Sequence, residues 1–119
     1  MADPIYKILT HDQWDAFNEA GRFDGAPVDI ADGYIHFSTA DQVRETAAKH
    51  FAGKHDLHLL AVDPDQFGDA LKWEPSRGGA LFPHLHAPLS IDTVIWEKSL
   101  PLDEDGRHVF PDALSGAAS

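Results

Sequence analysis

Apolar and polar positions along the chain alternate in blocks that define its elements. Ile5-Tyr6-Lys7-Ile8-Leu9 reads as a strand, and Thr10-His11-Asp12-Gln13 has the spacing of a capping box. A helix is predicted from there, with Trp14, Phe17 and Ala20 as its apolar stripe and Gly21 placed to end it in a left-handed conformation. Residues 22–33 read as a Gly, Pro and Asp-rich loop. Tyr34-Ile35-His36-Phe37-Ser38 has the β-branched and aromatic content of a short strand, and Thr39-Ala40-Asp41-Gln42 repeats the capping-box spacing. Val43, Ala47 and Phe51 then recur every four residues, which predicts a helix over about 40–52 with one buried side, stopped by Gly53.

Leu57-His58-Leu59-Leu60-Ala61-Val62 is almost continuously apolar and ends at Asp63-Pro64, as a strand in mid-sheet would. Shorter strands are expected at Leu71-Lys72-Trp73-Glu74 and from Phe82 to His86, with Pro83 and Pro88 at edge or bulge positions because proline cannot donate to a ladder. Ile91 to Trp96 reads as the last strand. Helices concentrated in the first half and strands in the second predict a single α+β domain over residues 1–113. Its helices are expected to cover one side of a small curved sheet, and residues 114–119 read as a flexible tail.

The charge balance changes what such a domain can bind. Nine Lys and Arg against twenty Asp and Glu leave the 119-residue chain at −11, and the cations are scattered, so nucleic acid is an unfavourable partner. No cysteine is present, which excludes disulfides, thiolate metal clusters and a cysteine nucleophile. The N-terminus has no basic region followed by a long apolar run, so a signal peptide and a membrane span are not expected, and the cytoplasm is the expected compartment.

Eight histidines are many for this length. His11, His50, His55 and His108 fall in caps, helix ends or polar turns and read as solvated surface, while His58, inside an apolar strand, reads as a satisfied core or interface histidine without a catalytic role. His36 shares a strand face with Tyr34 and Ser38 and precedes a helix whose N-terminus offers amide donors, an arrangement suited to an anion or a ribose. His84 and His86, two apart in an extended segment, share a face and offer two ring nitrogens, but without a third ligand they hold a metal weakly, so no metal is expected there. Trp73-Glu74-Pro75-Ser76-Arg77-Gly78-Gly79 combines an aromatic wall, a carboxylate, a cation and glycines that admit close backbone approach. Read as a ligand loop, it lacks the glycine spacing of a phosphate loop; read as a plain hairpin, it pairs Arg77 with Glu74.

Taken in order, Ile5-Tyr6-Lys7-Ile8, Asp32-Gly33-Tyr34-Ile35-His36-Phe37-Ser38-Thr39, Gln42-Val43, Thr46-Ala47, Leu59-Leu60-Ala61-Val62-Asp63, Trp73-Glu74 and Phe82-Pro83-His84-Leu85-His86 resemble the bacterial domain of unknown function 952 family over about residues 5–111. That family is similar to a compact branch of the ADP-ribosyltransferase fold, a split curved sheet with an NAD-binding cleft; the closest analogy is the RNA 2'-phosphotransferase branch. The resemblance implies that His36 and Ser38 face the nicotinamide ribose and diphosphate, and that Tyr6 and Lys7 occupy a first ligand-binding motif. Many relatives carry histidine in place of Lys7 and tyrosine in place of His86. The implied catalytic set is His36, Glu74 and His84, with Tyr6, Lys7, Tyr34, Ser38, Thr39, Trp73, Arg77 and His86 on the ligand.

The expected function is therefore binding of NAD or another ADP-ribose-containing small molecule, NAD being a substrate rather than a resident cofactor, with ADP-ribose transfer as the implied reaction. Two alternatives stay open: a metal-dependent hydrolase built on His36, His84 and His86, and a non-catalytic ligand-binding or regulatory module.

Overall fold

A computed structural model describes residues 3–75 and 79–111. The chain runs β1 (Ile5–Thr10), α1 (His11–Ala20), β2 (Arg22–Phe23), α2 (Pro27–Asp32), β3 (Ile35–His36), α3 (Ala40–His50), β4 (Leu57–Val62), β5 (Leu71–Pro75), β6 (Leu81–Leu85), β7 (Leu89–Ser90) and β8 (Val94–Leu100), with short 3-10 turns before β5 and β8. The fold is α+β. Its sheet is split into three antiparallel pieces ordered β1-β4-β8, β2-β7 and β3-β6-β5. No helix among the described residues is long and apolar enough to cross a membrane.

Local chemistry sets the two longer helices. Thr10 and Thr39 each accept the backbone N–H of the residue three further on, and Gln13 and Gln42 return the bond to the cap's own N–H. Gly21, at φ +74°, ends α1 in the left-handed region that side chains avoid. The two helices lie on opposite faces of β1-β4-β8, not on one side. Phe17 of α1 joins Ile5, Leu9, Leu60 and Val62, whereas Val43 and Ala47 of α3 join Tyr6, Ile8, Leu57 and Leu59. Strand alternation forces this division, because both faces of β1 and β4 are apolar and each needs a cover.

The loop expected over residues 22–33 contains β2 and α2. Pro27 starts α2 with its φ preset, and the Asp29 carboxylate accepts the Ala26 N–H at 2.8 Å, so a stretch rich in Gly, Pro and Asp folds into a short helix. The last strand begins at Val94 rather than Ile91, because Ser90 accepts the N–H of Asp92 and winds residues 91–93 into a 3-10 turn. Pro83 sits in the central strand of β3-β6-β5, away from any edge. Its carbonyl accepts the Phe37 N–H at 3.0 Å, and in an antiparallel ladder N and O of one residue face the same neighbour. The missing donor would have met the Phe37 carbonyl, so the return bond of that pair is absent and β3 stops at His36.

The sheets meet where β3 ends. Tyr6 N–H donates to the Ser38 carbonyl at 2.7 Å and Ser38 N–H returns to the Tyr6 carbonyl at 2.9 Å, tying β1 to the chain just after His36. This junction brings Lys7 of β1 beneath α2 and β3.

Candidate functional site

The register of β3-β6-β5 places His36 opposite His84 and His84 opposite Lys72, so the three share one face, with Glu74 two residues along β5. The His36 and His84 rings lie 5.4 Å apart between centroids, and Tyr34 packs against both, 4.7 Å from His36 and 4.1 Å from His84 in a stacked arrangement. His86 closes the cluster 5.2 Å from Tyr34.

His36 is oriented from below by a buried ion pair. The Asp29 side chain has no exposed surface and receives Lys7 Nζ at 3.0 and 3.3 Å, the backbone N–H groups of Ala26 and His36, and His36 Nδ1 at 2.6 Å. Burial alone would raise the Asp29 pKa, but the bonds from His36, Lys7 and Ala26 outweigh it and hold the group at about 2. Burial pushes Lys7 below its ordinary value, against the opposing pull of Asp29. An ionised carboxylate only accepts, so His36 Nδ1 donates to Asp29, while Nε2 lies 3.0 Å from the exposed Asp32 carboxylate and donates to it when that nitrogen carries a proton. Gly25 makes room for this: at φ +127°, a Cβ there would stand 2.9 Å from the Cβ of Asp29.

A second carboxylate serves the other two rings. Glu74 Oε1 lies 2.9 Å from both His84 Nδ1 and His86 Nε2, and these bonds lower the Glu74 pKa, His86 contributing most. His84 is 2% exposed, and burial lowers its pKa despite Glu74, so it is neutral at pH 7. The face thus offers an oriented imidazole, a neutral buried imidazole, an aromatic plate and a half-exposed carboxylate, a set suited to moving a proton on a bound ligand.

The other residues singled out from sequence are distributed differently. Tyr6, Thr39 and Trp73 line a groove of about 700 Å³ that also holds Asp3, Asp41 and Asp65 and none of the histidines. Trp73 alternates with Lys72 and Glu74 along β5 and so faces away from them. Among the described residues the buried Tyr6 hydroxyl has no hydrogen-bond partner, and its pKa is raised by that burial and then by Asp3. Ser38 turns inward to Thr46, 3.0 Å between hydroxyls, and the Thr39 hydroxyl is engaged in its cap. Lys7 is buried under the site as the partner of Asp29. Arg77 and the tail at 114–119 lie outside the described residues. Asp29 and Asp32 were not anticipated, since they fell in a stretch read as loop; the signal is an acid two positions after Pro27, where it caps a helix start.

A family model described as "Protein of unknown function (DUF952)" matches residues 8–97. The chain belongs to this DUF952 family. It is also similar to the crystal structure of protein CC0527 from Caulobacter crescentus, at 52% identity and a TM-score of 0.89, covering 94% of this chain and 98% of that one. The solution NMR structure of CC0527 gives 52% identity and a TM-score of 0.83 over 92% and 95% of the two chains. No curated protein matches the chain. The match to CC0527 extends over nearly the whole of both chains, so the two proteins share this fold.

Proposed function

We propose that this DUF952 domain binds a nucleotide-like small molecule, NAD or another ADP-ribose-containing compound, on the histidine face of β3-β6-β5, with His36 exchanging a proton with the ligand. The observation that carries this reading is the Lys7–Asp29–His36 relay, a buried ionised carboxylate fixing one imidazole nitrogen while the other lies at the open face beside Asp32. Tyr34 supplies a plate for a planar ring, and Lys72 supplies a cation on this face able to meet a phosphate. The groove on the other side is lined by three aspartates with no Lys or Arg among the described residues, whereas the histidine face sets Lys72 beside its carboxylates Asp32 and Glu74, which makes it the better seat for a diphosphate.

Glu74 is the carboxylate on that face able to stabilise positive charge developing at a ribose during ADP-ribose transfer. Among the described residues no three His, Cys, Asp or Glu groups converge as a metal site, so the hydrolase reading draws no support from the geometry. Calorimetry with NAD, ADP-ribose and adenine tests the binding. The dinucleotide and ADP-ribose are expected to bind more tightly than adenine, and His36→Ala to weaken them by about 0.5–3 kcal/mol, according to whether a neutral or a charged hydrogen bond is lost. A nicotinamide-release assay separates catalysis from binding, with Glu74→Gln expected to abolish release and spare affinity. No binding at millimolar ligand overturns the proposal, and binding without release assigns the domain to ligand sensing instead.

A further inference from the structure

The groove that Trp73 faces is assembled from separate segments of the chain. Asp3 comes from just before β1, Asp41 from the first turn of α3, Asp65 from the turn after β4 and Trp73 from β5. At about 700 Å³ it has the size of a small-molecule site. All three aspartates are exposed, and among the described residues none of their carboxylates has an ion pair or a hydrogen-bond partner.

Like charges around one groove repel one another, and a cation seated among them removes that repulsion. The net charge of −11 adds attraction at longer range. Asp41 also offsets the positive end of α3, whose amide N–H groups would otherwise favour an anion. The rest of the lining points to an organic cation. Trp73 is 48% exposed, and an indole face attracts an ammonium group, while Pro4 and Leu71 add apolar wall for a hydrocarbon stem. Tyr6 lines the groove from β1 and is 1% exposed, and its hydroxyl is the buried side-chain polar atom left without a partner among the described residues. An orphaned hydroxyl of this kind marks a place where a ligand can complete the bonding, and a phenol kept neutral by burial accepts a hydrogen bond from an ammonium N–H. No three acids converge as a metal site among the described residues, so the negative charge is spread around the groove and suits positive charges spread along one molecule.

We propose that this groove binds a linear polyamine, a methylene chain carrying two or more ammonium groups, with Asp3, Asp41 and Asp65 meeting the charges, Trp73 covering one of them and the Tyr6 hydroxyl accepting an N–H. The two faces of the domain then sort small molecules by charge: the groove has no Lys or Arg among its described residues, and the histidine face carries Lys72.

Spermidine titrated into the full chain at physiological ionic strength tests the site, read by calorimetry and by NMR of backbone amides and indole N–H groups. Saturable one-to-one binding is expected, with shifts at Trp73 and the start of α3. Asp65→Asn and Trp73→Ala, both at exposed positions, are each expected to weaken it, the second by about two- to fivefold. Tyr6→Phe is expected to weaken spermidine by about 10–100-fold, the range for a hydrogen bond to a charged group. Its urea midpoint should stay at or above wild type, because the hydroxyl it removes has no partner in the free protein among the described residues. Magnesium at equal charge concentration is expected to give no saturable shift at Trp73. Absence of saturation, an equal response to magnesium, shifts centred on His36 and His84, or an affinity unchanged in any of the three variants overturns the proposal.

Discussion

Two carboxylates hold histidines on the same face of this domain, and they do so under different conditions. Asp29 is wholly buried, saturated by donors from three elements and paired to a buried lysine, while Glu74 holds two rings with over a third of its side chain in water. Burial makes the Lys7–Asp29 pair obligatory, because removing either one leaves the other a buried charge without its ionic partner; the second set can exchange its partners for water. The comparison assigns Asp29 the task of fixing His36 in place and leaves Glu74 free to respond to a ligand.

The most severe way to break this contrast is Asp29→Asn, which strands Lys7 as a buried charge and is expected to lower stability by about 3–5 kcal/mol in urea denaturation. Adding Lys7→Met in the same chain should recover part of that loss, since the two residues are coupled. If the single variant unfolds at the wild-type urea concentration, the ion pair is not obligatory.

Acid gives a second measure. The Asp29 pKa is depressed in the fold, so its stabilisation is complete above the ordinary carboxylate value near 3.8 and is lost as pH falls toward about 2; a shift of this size corresponds to about 2 kcal/mol. His84 is also depressed, so the protonated form is favoured in the unfolded chain, and stability begins to fall below its ordinary value near 6.5. Two descending steps are expected in denaturation midpoints between pH 7 and pH 2. Asp29→Asn removes the lower step and leaves the upper, and persistence of the lower step in that variant would contradict the assignment.

Gly25→Ala probes the same pocket through the backbone. A left-handed position combined with a contact of 2.9 Å to Asp29 Cβ predicts a loss of more than about 1 kcal/mol and displaced His36 resonances, read by denaturation and NMR. The smallest effect is expected at Glu74→Gln, where water replaces what the carboxylate gave. Its urea midpoint should stay near wild type while the ring signals of His84 and His86 move, and a large midpoint drop would make the two networks alike.

Much of the fold was legible because its signals are local. Thr10 with Gln13 and Thr39 with Gln42 fixed both helix starts within three residues of sequence, and the apolar run at 57–62 announced the central strand. What escaped depended on long-range neighbours. Whether Pro83 harms a central strand depends on where β3 stops, and the two-sided helix cover depends on both faces of β1 being apolar. Of the site, strand parity brought out His36 and His84, and loop composition with the family resemblance brought out Glu74, but neither could show that Trp73 faces the acidic groove, nor that Lys7 would find Asp29 across the junction of two sheets. His58 is a satisfied histidine and His11 an exposed one, as their neighbours in sequence indicate, but that the two rings meet depends on how α1 packs against β4.

The ordering of strands in β1-β4-β8 has a consequence for how the chain reaches this state. Ile5 pairs with Val62 and Thr10 with Leu57, so the first strand made has no ladder until half the chain exists, and β8 must follow to close the other edge. Such remote pairings pay their loop-closure entropy before any contact rewards it, which places refolding among the slow, milliseconds-to-seconds domains. During synthesis β1 and α1 wait as an unpaired apolar segment, and Lys7, the only cation on that strand, keeps it hydrated until Asp29 and the returning strand enclose it.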